Sequence, residues 1–201
     1  DNYKQPLIPH NVSQRGPKTT VGDVNKDGLD DFFICGAANQ QGKLMIQQKD
    51  GSFKPTNEVV FKTDSLQEDL DAVFFDANND SYLDLYVVSG GNEFAENSPL
   101  LSDRIYMNDG KGNFKKSADA LPVIYKDKSC VSIADVDIDG DLDVFVGGFV
   151  NTKKYGEPQH SYLLINDGKG MFTIKPNLFD NLGMVTDAAF SDMNNDGYAD
   201  L

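Results

Sequence analysis

The sequence predicts an all-β protein: a β-propeller of four-stranded antiparallel blades, present as a partial ring of three blades plus the start of a fourth. Three observations predict it. A nine-residue acidic motif recurs four times, a glycine-containing turn motif alternates with it, and the stretches between the two read as short strands with no sustained helical period.

The acidic motif, D-x-[DN]-x-D-x-x-x-D, occupies Asp23 to Asp31 (DVNKDGLDD), Asp76 to Asp84 (DANNDSYLD), Asp135 to Asp143 (DVDIDGDLD) and Asp192 to Asp200 (DMNNDGYAD). Independent placement at this composition yields about 0.1 match, so four matches are a repeat. The turn motif reads KDGSF at 49 to 53, NDGKGNF at 108 to 114 and NDGKGMF at 166 to 172. Its Asp-Gly dipeptides supply positive φ angles, so each marks a hairpin between two antiparallel strands.

Successive acidic motifs start 53, 59 and 57 residues apart, the spacing of blades or solenoid turns. From Asp50, Asp109 and Asp167 to the next acidic motif is 26, 26 and 25 residues, whereas from acidic motif to hairpin is 27, 33 and 32. Length variation therefore concentrates in one connection, placed at 36 to 43, 89 to 104 and 147 to 161, and variable loops on a constant scaffold are where recognition resides. DAVFFD, VSIAD and DAAFSD read as strands entering the acidic loops; DFFICG, LDLYVVSGG and LDVFVGGF leave them. LMIQQ, RIYMN and SYLLIN lead into the hairpins, and segments from Phe53, Phe114 and Phe172 lead out, which completes four strands per repeat. The pair around each acidic loop is almost continuously apolar, as strands buried on both faces are. The repeats begin near residues 19, 72, 130 and 187; residues 1 to 18 form an N-terminal segment read as a candidate ring-closing strand. At about 57 residues per blade a seven-blade ring needs about 400 residues, so the chain, which lacks an initiator Met, reads as a mature or partial piece of something longer.

Composition narrows the partners. The chain has 32 acidic and 18 basic side chains, net −14, and the acid is 27 Asp to 5 Glu. That skew points to loops, where a short carboxylate meets backbone or an ion. Nucleic acid and anionic membrane surfaces both require a cationic footprint and are excluded as partners. No apolar run approaches the roughly 18 residues of a membrane span, and 13 Phe with 8 Tyr suffice for a packed core. Cys35 and Cys130 sit in apolar strings out of step with each other and read as buried free thiols.

Within each acidic loop, positions 1, 3, 5 and 9 are carboxylates or carboxamides: Asp23, Asn25, Asp27, Asp31; Asp76, Asn78, Asp80, Asp84; Asp135, Asp137, Asp139, Asp143; and Asp192, Asn194, Asp196, Asp200. Position 7 (Leu29, Tyr82, Asp141, Tyr198) offers a main-chain carbonyl where its side chain is apolar or aromatic. Alternate residues of a tightly curled loop point inward together, so each loop reads as a cage of hard oxygens suited to Ca²⁺, up to four in the chain, with Mg²⁺ ranked second for its stricter geometry. An EF-hand opens the same way but needs Glu at position 12 between helices; here position 12 is Ile34, Val87 and Val146 between strands. The second loop has Ser81 where its siblings have Gly28, Gly140 and Gly197, which makes it the least regular if that position is left-handed.

The order strand, D-x-[DN]-x-D-G-x-x-D, strand resembles the FG-GAP or VCBS repeat of integrin-α-type β-propellers from about Thr19 to Leu201. The strings DRIYMNDGKGNF, DGDLDVFVGGF and NLGMVTDAAFSDMNNDGYADL are similar to a bacterial branch related to cartilage acidic protein and to proteins with an ASPIC/UnbV domain. The resemblance implies that the acidic loops join the first two strands of each blade and bind Ca²⁺ through positions 1, 3, 5 and 9, while ligands are met on the opposite rim. The literal Phe-Gly and Gly-Ala-Pro signatures of integrin repeats are absent. Under this topology residues 89 to 104 and 147 to 161 are neighbours on the binding face, with Glu93, Phe94, Arg104, Lys153, Lys154, Tyr155 and His160 as its recognition-capable side chains.

Catalysis finds little support. His10 and His160 are the available neutral-pH bases, neither beside a nucleophile signature, and phosphate loops, CxxC pairs and HExxH are absent. The expectation is a non-catalytic, Ca²⁺-stabilised extracellular, cell-surface or periplasmic propeller that binds protein or glycan, within an outer-membrane or surface assembly. The alternative is a propeller-fold polysaccharide lyase or hydrolase, for which Lys153, Tyr155 and His160 are the nearest cluster.

Overall fold

The computed structural model describes residues 15–151, 153–179 and 182–201. Three four-stranded antiparallel sheets follow one another along the chain. The first takes β1 (Thr19–Gly22), β2 (Asp31–Ile34), β3 (Lys43–Gln47) and β4 (Phe53–Thr56) in sequential order. The second takes β5 (Glu68–Phe75), β6 (Asp84–Gly90), β7 (Arg104–Asn108) and β8 (Phe114–Ser117). The third takes β9 (Lys128–Ala134), β10 (Asp143–Gly148), then, beyond the small hairpin of β11 (Val150–Asn151) and β12 (Lys154–Pro158), β13 (Tyr162–Asn166) and β14 (Phe172–Lys175). Each sheet is a propeller blade, and the fold is that of a partial β-propeller.

The ladders place the three blades in one register. Gly22, Phe75 and Ala134 lie opposite Asp31, Asp84 and Asp143, the ninth residue of each acidic loop. Residues two and four places beyond each of these aspartates face the following blade; residues one and three beyond face the preceding one, as the period of two requires. Phe33, Cys35 and Leu44 of the first blade accordingly pack on Phe74, Leu85, Val87, Tyr106 and Phe114 of the second. Tyr86, Val88 and Ile105 of the second pack on Val144, Val146, Leu164 and Phe172 of the third. Both faces of β6 and β10 are buried throughout, which is why those strands read as unbroken apolar runs. Among the described residues no blade covers the receiving face of the first: Val21 is 59% and Phe53 40% exposed, although the equivalent Phe74 and Phe114 are buried.

Three features differ from the sequence reading. A single helical turn, α1 (Glu58–Lys62), follows β4 and buries Phe61, whose ring meets those of Phe33 and Tyr106 at 5.1 Å each. One turn is too short for a helical period to register in sequence. The hairpin β11–β12 adds structure to the variable connection of the third blade. In the fourth repeat, DAAFSD forms no strand: the repeat is held by the bridge between Ser191 and Asp200, while Phe179 and Phe190 pack edge-on against Phe145 of the third blade. Cys35 and Cys130 are buried and not joined by a disulfide, and burial pushes both thiols up, as their apolar settings predict. Residues 1 to 14, including His10 and most of the proposed ring-closing segment, lie outside the described residues.

Candidate functional site

The four acidic loops repeat one hydrogen-bond pattern. The position-1 carboxylate accepts the N–H groups of positions 5 and 6: Asp23 from Asp27 (3.1 Å) and Gly28 (2.8 Å), Asp76 from Asp80 (3.1 Å) and Ser81 (2.7 Å), Asp135 from Asp139 (3.2 Å) and Gly140 (3.0 Å), Asp192 from Asp196 (3.1 Å) and Gly197 (2.9 Å). Position 5 in turn accepts the N–H of position 7 at 2.8–2.9 Å in all four. This curl needs two left-handed residues. Position 4 has φ of 57°, 60°, 61° and 61° at Lys26, Asn79, Ile138 and Asn195, and position 6 has 83°, 68°, 95° and 88° at Gly28, Ser81, Gly140 and Gly197. Ser81 therefore adopts the glycine conformation, and the second loop closes like its siblings. Ile138 is the more strained residue, because a β-branched side chain disfavours this region most.

Position 9 anchors the curl to the blade. Asp31, Asp84 and Asp143 are fully buried. One oxygen of each accepts the N–H of position 2 (Val24, Ala77, Val136) at 3.1 Å, and the other accepts Gln47, Asn108 or Asn166 of the third strand at 2.8–2.9 Å. Burial first, then the negative charge of the loop's other aspartates, pushes these carboxyls up, that of Asp84 to about 6. In the fourth loop Asp200 bonds Met193 N–H at 3.0 Å.

Position 3 separates the third loop from the rest. Asn25, Asn78 and Asn194 donate their amides to the position-5 carboxylate at 3.0–3.2 Å. Asp137 has no amide to give, and one oxygen of its carboxylate joins one each from Asp135 and Asp143, all three within 4.8 Å of one another. That span is about twice a Ca²⁺–oxygen distance, the scale on which carboxylates share one divalent ion. Among the described residues it is the one group of three acidic, histidine or cysteine side chains drawn so close.

Neighbouring loops touch. Asn108, at the head of the second hairpin, donates to Val24 O of the first loop (2.7 Å) and Leu83 O of its own (3.0 Å). Asn166 does the same to Ala77 O (2.9 Å) and Leu142 O (3.1 Å). The position-4 side chain of one loop also meets position 7 of the next: Lys26 lies 4.2 Å over the Tyr82 ring, and Asn79 donates to Asp141. The acidic rim is thus a chain of tied loops, and the first seam residue of NDGKG carries a role that the turn reading of that motif leaves out.

On the opposite rim, the connections 89 to 104 and 147 to 161 are neighbours, as the topology implies: Asn97 and Leu101 face Val150, Asn151 and Gln159 across a crevice of about 10 Å³. The candidate recognition residues do not gather in it. Arg104 requires a correction. It is 4% exposed, paired through its guanidinium with Asp69 and bonded to Ser89 Oγ at 3.0 Å, because its place at the start of β7 turns it inward between strands. Phe94 is half-buried over Gly91; Glu93 is exposed, with its carboxylate beside that of Glu68. Lys153 and His160 are exposed, Lys154 pairs with Glu157 at 3.3 Å, and the side chain of Tyr155 lies outside the described residues.

Four acids on this rim, Asp69, Asp71, Asp103 and Asp127, are structural staples. Asp69 accepts Gly36 N–H of the first blade (2.8 Å), Asp71 accepts Val131 N–H of the third (3.1 Å) and Lys18 Nζ (3.0 Å), and Asp127 accepts Gly91 N–H (2.9 Å) and a two-toothed contact from Arg15. Asp103 takes the fully buried Lys128 ammonium at 3.1 Å. No helix among the described residues is long and apolar enough to cross a membrane.

These features have counterparts in known proteins. A solved structure titled as the basis of specific recognition of non-reducing terminal N-acetylglucosamine by an Agrocybe aegerita lectin is similar over 91% of this chain and 46% of its own, with a TM-score of 0.58 and 17% identity. The chain thus spans less than half the length of that lectin, and the likeness is one of fold. No curated protein matches the chain. The model of the FG-GAP-like repeat matches residues 23–87 and again 76–146, each match opening on an acidic loop and running through the hairpin and the next acidic loop into the strand that follows it, β6 or β10. Since these matches cover more than half of the sequence and coincide with the blade period, the chain belongs to the FG-GAP-like repeat family.

Proposed function

We propose that this chain is a non-catalytic propeller segment, stabilised by Ca²⁺ in its acidic loops, that binds a protein or glycan on the opposite rim in an extracellular, cell-surface or periplasmic setting. The observation that carries the metal reading is the third loop, where Asp135, Asp137 and Asp143 bring carboxylate oxygens within 4.8 Å with no cationic side chain among them. Three unneutralised carboxylates so placed repel one another, and a divalent ion removes that cost. Positions 1, 3, 5 and 9 would hold it, together with the main-chain carbonyl of position 7. When bound, the ion supplies charge neutralisation and cross-ties a loop that is otherwise closed by backbone bonds to its own aspartates. The first, second and fourth loops carry one carboxylate fewer among those positions and form the weaker sites.

The rim reading rests on two supports: the longest and most variable connections lie there, and a lectin shares the fold. The sequence resemblance to the bacterial branch related to cartilage acidic protein is the support for a surface assembly as its setting. Titrating Ca²⁺ into chelator-treated protein by calorimetry, with thermal melts in Ca²⁺ and in EGTA, tests the metal. Each site filled at about 100 times its dissociation constant adds about 2.7 kcal/mol, so the melt rises by several degrees. An unchanged melt in EGTA removes calcium from the account.

A further inference from the structure

Two clefts on the rim opposite the acidic loops occupy the same place in successive blades. In the second blade, Ser102 just before β7, Arg104 at its start, Lys116 and Ser117 at the end of β8, and Leu121 to Val123 with Tyr125 of the connection to the next blade enclose about 400 Å³. In the third, His160 and Tyr162, Ile174 and Lys175, and Pro176 to Phe179 enclose about 220 Å³. The ladders make these walls equivalent: Arg104 and Tyr162 pair with Val87 and Val146, each three residues beyond a position-9 aspartate, and Ser117 and Lys175 each stand three residues beyond the hairpin phenylalanine. In the first blade the corresponding connection forms α1 instead.

The chemistry of the larger cleft is that of an uncharged, hydroxyl-rich ligand. Its charged walls are already neutralised within the protein: Arg104 by Asp69, Lys116 by Asp64 at 2.6 Å and Asp103 by Lys128 at 3.1 Å. An ionic ligand finds no unspent charge there. The half-buried Ser102, Ser117 and Tyr125 carry hydroxyls that no hydrogen bond among the described residues occupies. Beside them Leu121 and Pro122 supply apolar wall, and Tyr125 supplies a ring. The smaller cleft repeats the mixture with Tyr162, Phe179 and Pro176 against the Asn177 amide. Aromatic and apolar surface with a few hydroxyl or amide groups, in a few hundred Å³, matches one or two sugar rings, whose C–H faces stack while their hydroxyls exchange hydrogen bonds.

We propose that these equivalent clefts are repeated subsites for neutral sugar residues, one in each of the second and third blades, on the rim that the reading above assigns to partner binding. The assignment rests on that reading and sharpens it: individually weak sites at blade spacing gain affinity when one glycan, or one glycan-covered surface, engages several.

Saturation-transfer NMR on the whole chain, with the methyl glycosides of glucose, galactose, mannose and N-acetylglucosamine each at about 20 mM, detects binding in the millimolar range expected of a single subsite. At least one glycoside is expected to receive saturation, and the double variant Ser117→Tyr with Lys175→Tyr, which fills both clefts from strand positions, is expected to lose the signal about tenfold. Melts of the variant in Ca²⁺ and in EGTA should match the parent. If that variant does not fold, Tyr125→Leu with Tyr162→Leu keeps the apolar bulk while removing both ring hydroxyls, and should also lose the signal. Absence of signal from all four glycosides overturns the proposal and leaves a protein partner for this rim. Signal retained by a folded, filled variant overturns the clefts as its location. Neither result touches the calcium measurements on which the metal reading stands.

Discussion

Replacing Asn108 by Ala cuts the seam between the first and second blades without touching an apolar contact. Asn108 is 5% exposed, and its amide serves two carbonyls that belong to different loops, Val24 O at 2.7 Å and Leu83 O at 3.0 Å. Its own oxygen accepts Gly110 N–H at 3.1 Å, where water can take its place, and the buried Gly112 N–H at 3.2 Å. The loss therefore comes chiefly from two buried groups, Val24 O and Gly112 N–H. At about 1–3 kcal/mol per buried group left without a partner, the substitution costs about 2–6 kcal/mol. For a chain of this length that is a fall of roughly 4–24 °C in melting temperature. Asn108→Asp should cost more, since a carboxylate then faces both carbonyls. Because the contact joins blades, the urea m value should fall as the first blade uncouples from the second. Asn113→Ala is the control: Asn113 is exposed and bonds only Asp109 within its own hairpin, and should stay within about 0.5 kcal/mol of the parent. A loss below about 0.5 kcal/mol for Asn108→Ala, or an Asp variant as stable as the parent, would refute the latch.

Three further outcomes follow from the geometry. Ile138→Asn relieves a left-handed β-branched residue that is 55% exposed, putting there the residue its second and fourth siblings use; urea titration should show a gain of about 1 kcal/mol, and no gain would mean that Ile138 is unstrained. Asp137→Asn gives the third loop the amide its siblings donate to position 5 and removes one carboxylate; the melt in EGTA should rise while the added gain from Ca²⁺ shrinks, and a Ca²⁺ gain equal to the parent's would exclude Asp137 as a ligand. Burial, then the Glu93 carboxyl beside it, pushes Glu68 up to about 8. A carboxyl raised in the folded state above its ordinary 4.5 holds its stabilising proton at low pH and loses that contribution as pH climbs through about 8. Glu68→Gln, which is neutral throughout, should therefore gain on the parent in melts taken from about pH 5 to about pH 9, and parallel curves would show that Glu68 ionises freely.

The blades were legible because each depends on local chemistry. Positive φ at Gly28, Gly140 and Gly197, Asp-Gly hairpins, and unbroken apolar strands are written in neighbouring residues, and their recurrence at blade spacing multiplied a weak local signal into a secure one. The same holds for the curl of the acidic loops, which carboxylates at positions 1 and 5 close by accepting backbone N–H groups a few residues on. Ser81 shows the limit of residue-type reasoning: the conformation that its siblings meet with glycine is imposed on it by Asp76 and Asp80. What the sequence left open depended on which strand turns inward and on what comes beside it from fifty or more residues away. Arg104 reads as a recognition residue in a variable connection, yet the register of β7 buries it against Asp69. Asn108 and Asn166 read as turn residues, and only the adjoining blade supplies the Val24 and Ala77 carbonyls that make them latches. The paired clefts arise where strand ends and a long connection from the same blade converge, so no single stretch of chain displays them. Local backbone preference is a property of residue type and is carried by the string itself; burial and partnership are properties of the packed seam and exist only once the blades stand side by side.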